Sequence, residues 1–352
     1  MNWAVVMAGG RGTRFWPESR NRRPKPFLRL TGKRTLLEET VERLYPMFPP
    51  RQILIVLQAD LVNQAKRLLK RIPKENILGE PIGRNTAPCC VFAAAQISRQ
   101  DSEAKFVFLP ADQHVYPKSL FQKTLKVAFD MVDESPVLLG MRPNAPNTGF
   151  GYLEVSRSRK TMRGISYFTV LRFHEKPSLV RAKQFIKRGN FFWNGGTFVW
   201  RLDSFRQVIR KYLPRLYAEF DRLGSVNLGR TKLLPIYRRL PSISLDYGVM
   251  EKMRNVHCLL APFEWSDLGG WAGLTQFWPA DSAGNRAQGK VLLVKSRDNV
   301  VKANKRLVAL LGVENLLVVD TSDALLICPQ SRTEEIRDVV RELDRRKANE
   351  YL

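Results

Sequence analysis

A glycine-rich loop near the N-terminus carries the residues best suited to chemistry. Residues 9–14 read GGRGTR and follow a short apolar run at residues 5–8, and a basic segment further along contains Lys25. Glycines let backbone N–H groups approach phosphate oxygens closely, while arginine and lysine neutralise phosphate charge. The P-loop pattern is absent because no Lys-Ser or Lys-Thr follows the glycines, and the dinucleotide pattern G-x-G-x-x-G fails after Gly10 and Gly12. The loop therefore predicts a nucleoside triphosphate site of another kind.

Two aspartates at distant loop positions are candidate metal ligands. Asp112 ends the segment LPAD after an apolar strand, and Asp267 lies in WSDLGGW, a loop rich in aromatics and glycines. Magnesium typically takes one or two protein carboxylates together with phosphate oxygens and water. Taken singly, Asp112 also fits a helix cap and Asp267 a turn residue. The pair, beside a phosphate loop, favours a Mg²⁺ site.

Three further segments carry hydrogen-bonding side chains, and two of them combine these side chains with glycine. They are TGFGY at residues 148–152, EKP at residues 175–177 and WNGGTF at residues 193–198. An asparagine amide or a glutamate can bind hydroxyl groups, and a neighbouring lysine can bind a phosphate. Alone, the Glu-Lys pair is more commonly explained as a surface ion pair. Together, the three segments indicate a sugar pocket.

The elements that must position these residues alternate through the first half of the chain. Apolar runs predict strands at residues 2–8, 52–57, 105–109 and 136–140, and helices are predicted at residues 35–47, 61–71, 86–99 and 118–132. This alternation predicts an α/β fold with a doubly wound, mostly parallel sheet. Ligands of such sheets bind beyond the carboxyl ends of the strands, where both the phosphate loop and Asp112 fall.

The C-terminal part changes character. Short strands are predicted at residues 291–294, 300–303, 307–311, 316–319 and 324–327, followed by an amphipathic helix at residues 333–346. Their roughly eight-residue spacing is typical of a small β-helix or a meander. We therefore predict a catalytic domain at residues 1–282 and a small β-rich domain with a terminal helix at residues 283–352.

Composition narrows the class of protein. The 352 residues carry a formal net charge of +25 and contain no apolar run long enough to span a membrane. The four cysteines show no C-x-x-C pairing and there is no signal-peptide pattern, so we expect reduced thiols in a cytoplasmic protein. The charge suggests a polyanionic partner. The basic residues are dispersed without interleaved aromatics, which argues against nucleic acid, although a basic nucleic-acid-binding role stays an alternative.

The motifs resemble, in order and over nearly the whole chain, those of the sugar-1-phosphate nucleotidyltransferases. Within that family they look like the mannose-1-phosphate guanylyltransferases. The resemblance rests on the glycine-arginine loop with Pro24-Lys25, on LPAD and WSDLGGW, on GRNTAP at residues 83–88, on FHEKP at residues 173–177, on WNGGTF, and on residues 306–329.

The resemblance implies transfer of GMP from GTP to mannose 1-phosphate, with Mg²⁺ as cofactor. It assigns binding of the triphosphate to Gly9, Gly10, Gly12, Thr13 and Arg14, with Lys25 near the transferred group. It assigns catalysis to Arg14, Lys25, Asp112 and Asp267, and binding of the metal to the two aspartates. It assigns binding of the nucleoside to Asn85 and Thr86, and binding of the sugar phosphate to Gly151, Glu175, Lys176 and Asn194. Asn85 would equally serve as a helix cap.

Relatives of the family leave the substrate and the assembly open. Enzymes acting on other sugar 1-phosphates, including manno-heptose 1-phosphate, share these motifs, so a different sugar is the main alternative. Some members carry an added isomerase domain, and because this chain ends before one could fit, we expect no phosphomannose isomerase activity. The C-terminal β-rich region is a candidate homodimer surface by family analogy, and no membrane association is expected.

Overall fold

The computed structural model describes residues 1–133, 135–225 and 230–352, without the side chains of residues 230 and 231. The chain divides into two compact units. Unit 1 comprises Met1–Gly9, Thr40–Ala111 and Val115–Trp265. Unit 2 comprises Gly10–Glu39, Asp112–His114 and Ser266–Leu352. Unit 2 thus joins the phosphate loop segment and the Asp112 segment to the C-terminal residues.

The strands are named in chain order. They are β1 (Asn2–Met7), β2 (Ile53–Gln58), β3 (Ile77–Glu80), β4 (Lys105–Pro110), β5 (His114–Tyr116), β6 (Val137–Met141), β7 (Tyr152–Val155), β8 (Lys160–Met162), β9 (Ile165–His174), β10 (Phe191–Arg201), β11 (Val256–Leu260), β12 (Glu264–Ser266), β13 (Arg286–Gln288), β14 (Val291–Val294), β15 (Val300–Lys302), β16 (Val308–Leu311), β17 (Leu316–Asp320) and β18 (Leu325–Pro329).

The α-helices are named in the same way. They are α1 (Leu36–Glu42), α2 (Val62–Leu68), α3 (Thr86–Ser98), α4 (Lys118–Met131), α5 (Leu179–Arg188), α6 (Leu202–Tyr212), α7 (Pro214–Tyr217), α8 (Phe220–Gly224), α9 (Arg230–Arg239), α10 (Leu245–Gly248), α11 (Trp271–Thr275) and α12 (Ile336–Arg345). In the described part of the chain, none of the helices is long and apolar enough to cross a membrane.

The large sheet of unit 1 has a parallel half and a mainly antiparallel half. Its strand order is β3-β2-β1-β4-β10-β6-β11-β9-β7, with β8 on β9 and a further pairing of β7 with β10. Strands β3, β2, β1 and β4 run parallel to one another. Strand β10 then pairs antiparallel with both β4 and β6. The predicted alternation of strands and helices is confirmed in the parallel half, except that β3, between two predicted helices, was not predicted. The antiparallel strands come from the middle of the chain, where β7, β8 and β9 follow one another with short turns and no crossover helix.

The core of unit 1 forms on both faces of the parallel half. Residues Trp3, Ala4, Val5 and Val6 of β1 are all buried, as expected for a central strand covered on both faces. Helix α3 is buried on almost every side, and its small residues, including three successive alanines, allow close packing against the sheet. This burial holds the ends of β1 and β4 in place, and candidate site residues follow directly after these two ends in the chain.

The C-terminal strands of unit 2 form coils. Strands β13, β15 and β17 stack in parallel, and β14 pairs in parallel with β16, so successive coils lie one above another. Two buried asparagines join the coils: Asn299 donates from Nδ2 to Asn285 Oδ1 at 3.1 Å and accepts from the Leu316 backbone N–H at 3.0 Å. The last strand, β18, pairs antiparallel with β17. Residues 286–329 therefore form the β-helix-like architecture expected from the strand spacing.

A separate core holds unit 2 together. Phe15 and Trp16 pack in one cluster with Trp271, Val319 and Ile336. Phe15 and Trp271 meet edge to face at 5.6 Å between ring centroids, and the Trp271 indole N–H donates to the Trp16 carbonyl. The segment that follows the phosphate loop is therefore anchored on the C-terminal coils and helix of its own unit.

Candidate active site

The phosphate loop turns sharply at Gly12. Its φ is +64°, and a Cβ atom at this position would lie 2.4 Å from the Lys25 Cβ, so only glycine fits. The Gly12 carbonyl accepts hydrogen bonds from the Phe15 backbone N–H at 2.9 Å and from the Ser19 hydroxyl at 2.7 Å. The loop thus packs directly against the segment that carries Lys25.

Arg14 lies at the end of this loop and is held by two contacts in unit 2. Its Nε lies 2.8 Å from Glu334 Oε2, and its Nη1 donates to the Gly269 carbonyl at 3.3 Å. The ion pair is exposed and therefore weak in water. A phosphate group can replace the Glu334 carboxylate as the partner of this guanidinium.

Lys25 is the centre of a charged cluster in unit 2. Its side chain is buried, its Nζ lies 2.9 Å from Asp112 Oδ2, and it donates a hydrogen bond to the Asp267 backbone carbonyl. The three residues are far apart in the sequence, and the fold brings them together. A buried ammonium with a carboxylate partner is costly to break, so this geometry is held firmly.

The two aspartates of this cluster repel each other. Burial raises the pKa of the Asp267 carboxyl above its ordinary value, the Lys25 charge opposes the shift, and the negative charge of Asp112 adds to it. Two neighbouring carboxylates that one ammonium compensates only in part are suited to a divalent cation. Among the described residues no group of three or more His, Cys, Asp or Glu is placed to hold a metal. Two carboxylates nevertheless fit Mg²⁺, which takes its remaining ligands from phosphate and water.

A second cluster forms in unit 1 through strand register. Tyr152 of β7 pairs with His174 of β9 and with Trp193 of β10, which sets the following residues of β9 and β10 beside Gly151. The Asn194 backbone N–H donates to the Gly151 carbonyl at 2.8 Å. The register therefore brings together Gly151, Glu175 and Asn194.

Residue 151 leaves little room for a side chain, because Glu175 and the Phe173 ring approach it closely. A Cβ atom there would lie 2.6 Å from Glu175 Oε2 and 3.0 Å from the Phe173 ring. Glu175 itself is almost buried and its Oε1 lies 2.9 Å from Lys176 Nζ. Partial burial alone would lower the pKa of Lys176, but the hydrogen bond and charge of Glu175 raise it. The ammonium thus stays charged beside the carboxylate, where it can meet an anionic substrate.

Asp246 belongs to this cluster and was missed in the sequence. It lies in α10, and its Oδ1 accepts a hydrogen bond from Asn194 Nδ2 at 2.9 Å. Burial, followed by the negative charge of Glu175, raises the pKa of Asp246 to about 6. Its segment, Ser244-Leu245-Asp246-Tyr247-Gly248, offers no strand end or glycine pair to mark it, so only the fold reveals it.

Asn85 acts as the N-cap of α3. Its Oδ1 accepts from the Thr86 backbone N–H at 2.9 Å, and its own φ is +68°. The Thr86 hydroxyl accepts from the Leu245 backbone N–H at 2.9 Å, so the helix start is tied to α10. Of the two interpretations of Asn85, the structure supports capping through the side-chain oxygen, which leaves the amide nitrogen able to donate to a ligand.

The expected site residues thus occur in two groups. In unit 2 lie Gly10, Gly12, Thr13, Arg14, Lys25, Asp112 and Asp267. In unit 1 lie Gly9, Asn85, Thr86, Gly151, Glu175, Lys176 and Asn194. The first group offers cations and a carboxylate pair, which suit phosphate chemistry. The second offers hydroxyl acceptors, amide donors and one lysine, which suit a sugar phosphate.

Comparison with known proteins relates this architecture to enzymes. Residues 3–283 match the nucleotidyl transferase family, and residues 289–343 match the mannose-phosphate isomerase/GMP-like β-helix domain. The mannose-1-phosphate guanylyltransferases of Klebsiella pneumoniae and Escherichia coli are each 33% identical over 99% of this chain and 75% of their own length. The structure of a Thermus thermophilus protein described as mannose-1-phosphate geranyltransferase is 35% identical, with a TM-score of 0.88 over 97% of this chain and 99% of that one.

Proposed function

Because the chain belongs to the nucleotidyltransferase family and, within it, to the mannose-1-phosphate guanylyltransferases, we propose that it transfers GMP from GTP to mannose 1-phosphate. The products are GDP-mannose and pyrophosphate. The observation that carries the proposal is the buried Lys25 ammonium, which meets Asp112 and Asp267 directly against the glycine turn of the phosphate loop.

The reaction needs no general base. A phosphate oxygen of the sugar phosphate is already anionic at neutral pH and attacks the α-phosphorus of GTP in line. A new P–O bond forms, the bond between the α-phosphorus and the bridging oxygen breaks, and that oxygen leaves with pyrophosphate. Catalysis then consists of positioning the two phosphates and stabilising charge that develops on them.

The cations of unit 2 supply this stabilisation. We assign the triphosphate to the loop of Gly9, Gly10, Gly12 and Thr13 together with Arg14, and the region near the transferred group to Lys25. Arg14 exchanges its exposed Glu334 partner for a phosphate, at little cost, because an exposed ion pair is weak. Lys25 keeps its place through the Asp267 carbonyl, so its charge is preorganised before substrate arrives.

Asp112 and Asp267 would hold Mg²⁺. Bound there with phosphate oxygens, the ion would neutralise charge on the triphosphate. The support for this assignment is the repulsion between the two carboxylates, which adds to the effect of burial in raising the pKa of Asp267. The Lys25 charge opposes the rise in the pKa of Asp267.

The cluster of unit 1 would receive mannose 1-phosphate. Glu175 and Asp246 accept hydrogen bonds from sugar hydroxyls, Asn194 donates or accepts, and Lys176 faces the phosphate. Gly151 leaves the space that a side chain would fill. For the nucleoside we assign Asn85 and Thr86 at the start of α3, where the Asn85 amide nitrogen can donate to a base edge.

We further propose a cytoplasmic homodimer. In the described residues the four cysteines are free, and Cys89, Cys90 and Cys258 are buried, as suits a reducing compartment. Paired strands β14 and β16 expose Leu292, Val294 and Leu311 on one side, an apolar surface that a second copy would cover. Light scattering of the L292K/L311K variant tests the assembly: we expect monomers, and unchanged dimers would overturn this surface.

The remaining domain assignment is also a proposal. We assign the chemistry to residues 1–282 and support of the phosphate loop to residues 283–352. A matched test is to lengthen the turn at Gly312 with two glycines, which changes the coils but none of the site residues. The transfer reaction should persist in such a variant if it folds, while loss of turnover with an intact fold would assign residues 283–352 a direct part in the chemistry.

The test of the reaction is pyrophosphate release from purified protein with Mg²⁺. GTP, ATP, dTTP and UTP are each paired with mannose 1-phosphate, glucose 1-phosphate and a manno-heptose 1-phosphate. Turnover with GTP and mannose 1-phosphate alone is the expected result. Turnover with another pair would correct the substrate and leave the mechanism. Absence of turnover from folded protein, with salt-sensitive retention of nucleic acid on a filter, would replace the enzyme by a basic binding protein.

A further inference from the structure

A cavity in unit 2 lies against the phosphate loop, and apart from Thr13, which is assigned to the triphosphate, its lining has no part in the proposed reaction. Its volume is about 260 Å³, and the polar groups that line it include Arg11, Thr13, Arg20, Asn21, Arg337 and Arg341. None of the residues assigned to catalysis in unit 2, namely Arg14, Lys25, Asp112 and Asp267, lines it. The cavity is therefore separate from the charged cluster around Lys25.

One wall of the cavity is a single face of α12. Arg337, Val340, Arg341 and Asp344 follow at spacings of three, one and three residues, which places them on one side of a helix. Ile336 anchors this helix in the core of unit 2, and Val340 packs partly against that core. The arginines are thus presented to the cavity by a helix that is fixed in place.

The opposite wall is the segment that follows the glycines of the phosphate loop. Thr13 begins a short helical turn there, and the Trp16 indole N–H donates to the Tyr351 carbonyl at 2.8 Å. This bond holds the end of the chain beside the cavity, where Leu352 forms part of the lining. Any ligand in the cavity would contact the phosphate loop on one side and α12 on the other.

The lining is strongly cationic. It contains four arginines against a single carboxylate side chain, that of Asp344. Arg20 pairs with Asp323 at 3.0 Å and Arg341 with Asp338 at 2.8 Å. Within residues 1–133, 135–225 and 230–352, Arg11 and Arg337 form no ion pair. The guanidinium groups of Arg11 and Arg337, which form no ion pair there, are therefore available at the cavity to bind an anion. The Thr13 hydroxyl and the Asn21 amide add hydrogen-bond donors.

We propose that this cavity is a second anion site, which binds a diphosphate. Guanidinium groups bind phosphate oxygens through paired N–H donors, so several arginines around one cavity suit a ligand with two phosphate groups better than a single carboxylate. Inorganic pyrophosphate and the diphosphate of a nucleoside diphosphate sugar both have this chemistry. Through Thr13 and Arg11 the bound diphosphate would stiffen the phosphate loop. This consequence rests on the proposed function, whereas binding itself does not.

Binding of inorganic pyrophosphate, measured by calorimetry without Mg²⁺ or sugar phosphate, tests the site. All proteins carry Lys25→Ala, which weakens the proposed active site. The test variant adds R337A/R341A. The matched control adds R345A/R346A, which removes the same charge from the same end of the chain but changes no lining residue. We expect one site in the parent, unchanged affinity in the control, and at least tenfold weaker binding in the test variant.

Several results would overturn the proposal. They are equal binding in parent and test variant, an equal loss in test variant and control, and displacement of pyrophosphate by an equimolar amount of GTP. Nucleoside diphosphate sugar is titrated next, to distinguish the two sources of the diphosphate: tighter binding than pyrophosphate identifies the nucleotide sugar as the ligand, and weaker binding identifies pyrophosphate. Because no turnover is measured, a failed transferase assay leaves these results intact, and thermal unfolding checks that each variant is folded.

Discussion

The two clusters of candidate site residues solve the same electrostatic problem differently. In unit 2 the cation is the buried Lys25, which lies 2.9 Å from the Asp112 carboxylate and donates to the Asp267 backbone carbonyl. In unit 1 the negative charge of Glu175 raises the pKa of Asp246, and the cation, Lys176, is more than half exposed. Each cluster thus holds two carboxylates and one lysine. The lysine is fixed inside the first cluster and lies largely in solvent in the second.

The difference shows what each cluster is prepared to bind. A cluster with a buried cation can receive a divalent cation and a triphosphate without moving its own lysine, because Lys25 is fixed by a backbone carbonyl. In a cluster whose lysine is exposed, the carboxylates gain from neutral hydrogen-bond donors, and sugar hydroxyls are such donors. The position of the lysine therefore supports the proposed division between phosphate chemistry in unit 2 and sugar recognition in unit 1.

Removing the compensating cation is expected to have the largest effect. Lys25→Ala should lower kcat about 10³-fold, because it takes away a preorganised cation and leaves Asp112 without its partner. Steady-state pyrophosphate release measures the loss, and thermal unfolding separates it from misfolding. Lys33→Ala, an exposed lysine of the same unit, is the control and should keep normal turnover. Near-normal turnover of folded Lys25→Ala would exclude Lys25 from the mechanism.

Neutralising one carboxylate of unit 2 is expected to have the next largest effect. Asp267→Asn should lower kcat about 10²-fold and raise the Mg²⁺ concentration needed for half-maximal rate, because one of two anionic ligands is lost. A Mg²⁺ titration of the initial rate checks both. Asp338→Asn, on the exposed side of α12, is the matched control. An unchanged Mg²⁺ dependence would assign the ion to other ligands.

The cluster of unit 1 should act on one substrate only. Asp246→Ala should raise KM for mannose 1-phosphate about tenfold or more, since hydrogen bonds to a charged group contribute about 1.5–3 kcal/mol. KM for GTP should change less than about twofold. Asp246→Asn can still accept a hydrogen bond from Asn194, so its KM for mannose 1-phosphate should lie between those of the wild type and of Asp246→Ala. An equal rise in both KM values would contradict the separation of the two clusters.

The smallest effect is expected on stability and follows from the pKa of about 6 for Asp246. A carboxyl with a raised pKa in the folded state holds its proton more tightly there than when unfolded. The free energy of unfolding therefore falls as the pH rises from about 4 to about 6, and it keeps this lower value at higher pH. Asp246→Asn should accordingly match the wild type near pH 4 and unfold about 2–4 °C higher at pH 8. A difference that is largest at low pH would reverse the assigned sign.

Much of this arrangement follows from local sequence patterns. Apolar runs located β1, β2 and β4 to within a residue or two, because buried parallel strands are read from continuous hydrophobicity. Glycine-rich loops in the sequence indicated candidate site residues of both clusters, the one in unit 1 and the one in unit 2. The antiparallel half of the sheet was not visible, because pairing partners such as β10 and β7 are distant in sequence. Asp246 was missed for the same reason: its partner Asn194 comes from β10, and no spacing rule links the two.

The repeating coils of the β-helix-like region raise the question of what limits their number. Its coils are joined by stacked asparagines, Asn285 and Asn299, and in principle further coils could be added to such a stack. Strand β18 reverses direction against β17 and occupies the edge on which the next parallel coil would form. An unprotected edge of this kind is a template for joining other molecules. The antiparallel last strand therefore blocks the addition of further coils and limits the length of the stack.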